Sequence, residues 1–183
     1  VRARSRVIVS QRLLLRPHRA NDLDECVAMW ADPVVTRYIG GIPFNREATW
    51  GRLLRYAGMW ALLGYSYWVI EDKTTRAFIG EVGFGNFKRD ISDLDAADRS
   101  APEMGWALSA VMHGHGYATE AVGAALRWAA AHLAASRVTC LIDARHSASI
   151  RVAAKNGFTE QRSVTYRDVP LVVFARALRS EGD

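Results

Sequence analysis

From Glu103 to Phe158 the chain runs strand, glycine-containing loop, long helix, strand and short helix. Glu103 to Leu108 is strand-like and Ser109 to Gly116 is a loop. Ala118, Ala121, Val122, Ala125, Ala129 and Leu133 then recur at helical spacing as the inner stripe of a long helix. Arg137 to Ala144 is a second strand, and Ser147 to Asn156 a short helix closed by Gly157 at the usual left-handed position. A helix that joins two strands in this way favours a parallel crossover between them. The segment therefore points to a mixed α/β domain. It also feeds a glycine loop into a helix N-terminus. Glycines let the backbone turn tightly and approach a ligand. The first helical N–H groups are free and lie at the positive end of the dipole, so the loop is suited to a phosphate.

The loop itself is His113-Gly114-His115-Gly116-Tyr117-Ala118-Thr119-Glu120. The plain alternative is a strand-to-helix connection that uses glycine only to turn, and a short glycine motif alone does not separate the two. A dinucleotide site would need a third glycine where Thr119 stands, and too little chain follows for the remaining βαβ units. A nucleotide-triphosphate loop would need Gly-Lys-Ser/Thr, which is absent.

The front half reads as follows. Val1 to Ser10 is a basic lead-in, expected to be flexible. Arg12 to Arg16 is a strand stopped by Pro17. Asn21 is placed to cap a helix that ends before Asp32-Pro33, and Asn45 to cap a second, closed by Gly64. In that second helix Trp50, Leu53, Leu54, Ala57, Trp60 and Ala61 repeat at helical spacing and are expected to face inward. Tyr65 to Glu71 and Phe78 to Asn86 form a hairpin, and Lys88 to Ala101 is a polar loop or insertion. At the other end, Phe158 to Asp168 and Leu171 to Leu178 are strands broken at Pro170, and residues 179–183 are a tail. The expected organisation is one domain over residues 11–178.

With 183 residues, half of them apolar, the chain can bury a core without staples. Cys26 and Cys140 are far apart in apolar surroundings, which suits a reducing cytoplasm better than a disulfide framework. No apolar run has the length of a membrane span, and no secretory signal is visible; the chain begins at Val1, which leaves its natural start open. The net charge of +5 attracts anions in general, but a solvated surface is the plainer explanation of it. No RNA-binding motif or basic stripe interleaved with aromatics supports nucleic acid.

Pro102 to Glu120 resembles the acetyl-CoA motif of the GNAT acetyltransferase superfamily, Gln/Arg-x-x-Gly-x-Gly/Ala, through Gly116 and Ala118. The ending Gly-Tyr-Ala-Thr-Glu-Ala is similar to the RimJ/RimL group. His146-Ser-Ala-Ser149-Ile-Arg-Val152-Ala-Ala-Lys155-Asn-Gly157-Phe158 resembles that family's second motif. Arg12 to Pro17, Asp32-Pro33 and Tyr38-Ile-Gly40 extend the likeness to about residues 10–178. His113 stands in place of the usual Gln or Arg, and His146 in place of the usual Asn.

The resemblance implies a largely antiparallel sheet, splayed at the acetyl-CoA site and flanked by helices. Pantetheine would lie in the splay against Leu108, Ser109, Ala110 and Val111, with the pyrophosphate on the amides of Gly114, His115, Gly116, Tyr117, Ala118 and Thr119. His146 and Ser149 would complete the cofactor contacts. The reaction implied is acetyl transfer to an amine, a protein N-terminus or a small molecule, within a ternary complex. A lysine amine titrates near ~10.4 and an α-amine near ~8, so a base helps either. Glu103, near the start of the strand that presents the thioester, is the first candidate base, acting through one water, and Asp168 the reserve. Many relatives place an acidic Tyr where this chain has Ala153. Ser149, one turn earlier, is the candidate partner for the leaving sulfur.

Other clusters carry less. His113 and His115 lack a third ligand, so no metal is expected. Trp30, Tyr38, Trp50, Trp60 and Trp68 could line an acceptor pocket but suit a core better. The rival function is a catalytically silent CoA-binding regulatory domain, for which the missing Tyr speaks. A homodimer and the identity of the amine stay open.

Overall fold

The computed structural model describes residues 6–178, so Arg2, Arg4 and the tail at 179–183 lie outside the described residues. Eight strands form one sheet: β1 (Ile8–Val9), β2 (Leu13–Pro17), β3 (Tyr67–Asp72), β4 (Phe78–Gly85), β5 (Glu103–Leu108), β6 (Arg137–Asp143), β7 (Thr159–Tyr166) and β8 (Val169–Ala177). Their spatial order is β1-β2-β3-β4-β5-β6-β8-β7, and every neighbouring pair is antiparallel except β5 and β6. The helices are α1 (Leu23–Trp30), α2 (Pro33–Thr36), α3 (Arg46–Leu63), α4 (Ala96–Ser100), α5 (Tyr117–His132) and α6 (Ser147–Lys155). This is the expected mixed, largely antiparallel sheet flanked by helices.

Helix α5 is buried along Ala121, Val122, Ala125 and Ala129, the inner stripe read from its spacing. It packs with Val82 and Phe84 of β4 and with Met104 and Leu108 of β5 in the main core, where Trp60, Trp68 and Trp128 meet edge-on. A second cluster joins Cys26, Met29 and Trp30 of α1, Leu53 of α3 and Ala107 of β5.

The sheet comes apart at one place. β4 and β5 are in register from Gly80–Leu108 to Gly85–Glu103. β5 and β6 share only Glu103–Thr139, reinforced by the Thr139 N–H donating to the Pro102 carbonyl at 3.1 Å. Beyond that rung the two parallel strands diverge toward their C-terminal ends, as the splayed sheet requires.

Four expectations need correction. Trp50, Leu54, Ala57 and Ala61 of α3 face solvent, and Thr49, Tyr56 and Met59 join Leu53 and Trp60 inside. Polar bonds choose this face: Tyr56 donates to Glu81, and the Thr49 hydroxyl donates to the Asn45 carbonyl. Asn21 caps nothing, because a short 3-10 turn starts after Arg19. The Arg19 N–H donates to Asp22, whose carboxylate also takes two N–H bonds from Arg16. Pro170 does not break a strand; it lies in β8 opposite Thr165, and the turn is Arg167-Asp168, both with positive φ. Its missing N–H is harmless, since the pairing with β6 ends one residue later at Leu171. The basic lead-in is shorter than expected: Ile8–Val9 pairs with β2, and the Arg6 carbonyl accepts from Trp68 Nε1. Asn45 and Gly64 do bound α3 as read, with the Asn45 side chain accepting from the Ala48 N–H.

Candidate active site

The open edge of β5 follows from strand alternation. The Ser109 N–H donates to Ile79 and the Pro102 carbonyl accepts from Thr139, so odd-numbered residues of β5 bond β4 and even-numbered ones face β6. The backbone groups of Trp106 and Leu108 are thereby aimed into the splay. His113 Nε2 lies 2.9 Å from the Leu108 carbonyl and ties the loop to the end of that edge. Ser109 leads into a 3-10 turn over Ala110–Met112 that carries Val111 on the surface.

Gly114 and Gly116 both have φ of 79°, a conformation that costs L side chains strain. Gly116 is the N-cap of α5, and the first bond of the helix runs from the Glu120 N–H to the Gly116 carbonyl. The amides of Tyr117, Ala118 and Thr119 therefore have no acceptor within the helix. This is an anion cradle of backbone donors, and the two glycines are what permit it. The loop is held from behind by Arg12, a residue whose role the local pattern did not reveal. Its guanidinium bonds Glu120 at 2.7 Å and the His115 carbonyl at 3.0 Å and lies 4.6 Å from the Tyr117 ring centroid.

At the start of α6, Ser149 Oγ lies 3.4 Å from His146 Nε2, and the Tyr38 ring stacks on His146 at 4.6 Å. Burial pushes His146 below its ordinary value; Asp143 opposes this and His113 adds to it. Ala153, where relatives place a Tyr, is fully buried in the core. Ser149, one turn before it on α6, is partly buried beside His146.

Glu103 occupies the closed end of the splay. Both its oxygens accept from Arg89, at 2.7 Å each, and Arg89 lies over the rings of Phe87 and Tyr166. Burial works against the charge of Arg89, but the Glu103 bonds outweigh it and keep the guanidinium protonated. The two residues line a cavity of about 220 Å³ with Lys88, Asp98, Arg99 and Thr139. Five residues of strand place Glu103 about 16 Å from Leu108, so a proton would cross more than one water between them. Asp168 sits exposed at the tip of the β7–β8 hairpin.

A polar knot lies beneath the α1–α3 side of the sheet. The buried Glu81 carboxylate meets His18 Nε2 at 3.0 Å and accepts from Trp30 Nε1 at 3.2 Å and the Tyr56 hydroxyl at 3.1 Å. Burial would raise its pKa, yet His18, Arg52 and the Tyr56 hydroxyl hold it below the ordinary range. His18, Cys26 and Glu81 present ligand-type atoms within 4.8 Å of one another. The carboxylate is already engaged, and burial pushes the Cys26 thiol up, away from the thiolate a metal needs. Of the five aromatics weighed for a pocket, Trp30, Trp60 and Trp68 are core, Trp50 is exposed and Tyr38 is at the mouth.

Residues 12–159 match the family model of the acetyltransferase (GNAT) domain, and the chain belongs to that family. The Bacillus subtilis protein YkkB is 27% identical over 174 residues, covering 92% of this chain and 94% of its own. A solved structure from Bordetella pertussis, assigned to the GnaT acetyltransferases, superposes with a TM-score of 0.80 at 25% identity, over 94% of this chain and all of its own. RimL, a ribosomal L7/L12 α-N-protein acetyltransferase solved with coenzyme A, shares the fold with a TM-score of 0.76 at 16% identity, over 96% of this chain and 99% of its own. The chain is accordingly an acyltransferase of the GNAT type. No helix among the described residues is long and apolar enough to cross a membrane.

Proposed function

We propose that the chain transfers an acetyl group from acetyl-CoA to a primary amine, either the α-amine of a protein N-terminus or a small molecule, in one cytoplasmic catalytic domain. The observation that carries this is the open edge of β5, which leads from the Glu103–Thr139 rung to the glycine loop of α5. Pantetheine would add to that edge as a further strand, pairing with Leu108 to Val111. The amides of Gly114 to Thr119 would take the pyrophosphate, with His146 and Ser149 on the far wall. A Leu108 N–H directed into the splay would stabilise charge on the thioester oxygen.

The amine attacks the thioester carbon. A C–N bond forms, the C–S bond breaks, the amine proton passes along a file of several waters to Glu103, and the thiolate leaves beside the Ser149 hydroxyl. Arg89 takes one lone pair of each Glu103 oxygen, and the second lone pair of either can accept from the last water.

The ion pair that ties Glu103 to Arg89, with Ala153 in the place of the usual Tyr, favours one second reading: a domain that binds CoA without turning it over. A thermal-shift titration and a free-thiol assay over a panel of amines separate the two. Acetyl-CoA should raise the melting temperature, as any ligand of the folded state does, and NAD and ATP should do so less. A larger shift with NAD would sink the acetyl-CoA reading. A shift with no thiol release from any amine would leave the silent domain.

A further inference from the structure

We propose that Arg12 is a determinant of acetyl-CoA affinity, because it cancels the charge of Glu120 beside the phosphate loop while holding that loop in place. The proposal rests on the acetyl-CoA reading of the loop. Glu120 stands in the first turn of α5, where a carboxylate favours the helix dipole. For the helix alone the residue is welcome. For a pyrophosphate on the neighbouring amides it is a like charge.

Arg12 resolves this conflict. Its backbone N–H donates to Glu120 Oε1 at 2.7 Å and its Nε to Oε2 at 2.7 Å. The Ser10 hydroxyl adds a third donor at 2.8 Å. The same guanidinium reaches the His115 carbonyl through Nη1, so one planar group spans the carboxylate and the loop backbone. Its Nη2 stands 3.5 Å from where a Cβ on Gly116 would lie. Burial works against the charge of Glu120, but these bonds hold its carboxyl below the ordinary range, so at neutral pH the charge is present and needs its partner.

The pair is a poor candidate for a fold anchor. Arg12 is 43% exposed against 15% for Glu120, so solvent screens the guanidinium's side of the contact, while the Ser10 hydroxyl and Arg12 backbone N–H still hold the carboxylate when the guanidinium is removed. Its effect should therefore appear in phosphate binding and not in unfolding.

Calorimetric titration of the full chain with CoA tests this, using Arg12→Gln, Glu120→Gln and the double variant. Arg12→Gln removes the positive charge facing Glu120, leaving only the neutral Ser10 hydroxyl and Arg12 backbone N–H on its carboxylate, and should weaken CoA by about tenfold or more, the scale of one charge-assisted contact. Glu120→Gln should cost little. The double variant should recover most of the loss, and Arg12→Lys, which keeps the charge but not the fork that spans Glu120 and His115, should recover only part of it. Binding of S-acetylpantetheine, which has no phosphates, should not respond to Arg12→Gln. A double variant as weak as Arg12→Gln, an unchanged CoA affinity in Arg12→Gln, or an equal loss with S-acetylpantetheine would each overturn the proposal. If the wild-type chain binds no CoA, the acetyl-CoA reading itself fails, and this proposal with it. Unfolding curves on the same samples guard against a misfolded variant.

Discussion

Strand β5 treats its two edges differently. Toward β4 it is paired from Leu108 to Glu103, and toward β6 it is paired at Glu103 alone. The first edge is structural: its backbone groups are satisfied, and its outer face is covered by α1 and α3 through Ala107. The second leaves the backbone of Trp106 and the N–H of Leu108 directed into a widening gap, the Leu108 carbonyl being met by His113. Because backbone N–H and C=O groups are rarely left without partners, an edge kept open in this way is a place for a ligand strand. One strand thus serves as wall and as site, and Glu103 stands where the two edges meet.

The largest effect is expected at that meeting point. Glu103→Gln keeps the size of the side chain but cannot accept a proton, so turnover near neutral pH should fall by about a hundredfold to ten-thousandfold. Raising the pH should recover much of the loss, because more of the amine is then already neutral. Rate against pH at saturating acetyl-CoA measures this. A variant that keeps the wild-type profile would make Glu103 a partner of Arg89 and nothing more, and would pass the question to Asp168.

The closed edge should respond in stability instead. A Cβ at Gly80 would fall on the Ala107 carbonyl and the Leu108 Cα, both backbone and unable to yield. Gly80→Ala should therefore destabilise the fold by about 2–4 kcal/mol, in the range of overpacked or strained sites. Urea unfolding reads it directly. A neutral result would mean that β4 and β5 are less tightly closed than their register implies, and would weaken the contrast between the two edges.

Much of this was legible in the sequence, for a definable reason. The stretch from Glu103 to Gly157 uses local signals: glycine at positive φ, alanine at helical spacing, and a strand on each side. Each of these depends on near neighbours in the chain. Arg12 was not legible, because from the turn before β2 it acts on residues more than a hundred positions away, in α5 and the loop before it. The pairing of Arg89 with Glu103 was hidden for a similar reason, since a polar insertion gives no local sign of what its arginines meet. The face of α3 was misjudged because Trp50 and Leu54 fit the period as well as Tyr56 does. The buried Glu81, which rewards Tyr56, lies on another element. Pro170 suggested a break because proline usually ends pairing, but a strand end beyond its partner tolerates it.

The smallest effect is expected on the open edge, at Ser149. Ser149→Ala removes a hydroxyl that lies 3.4 Å from His146. A free thiol titrates near ~8.5, so the thiolate is a fair leaving group without help. One neutral hydrogen bond is worth about 1 kcal/mol, which sets the expected loss in kcat at about tenfold or less. The loss should not be rescued by alkaline pH, because the amine is not what has changed. This opposite pH behaviour separates Ser149 from Glu103 even where the size of the effect does not. A loss as large as that of Glu103→Gln would mean that departure of the sulfur limits the reaction. Control would then pass from the closed end of the splay to the wall formed by α6, with His146 the next side chain to vary.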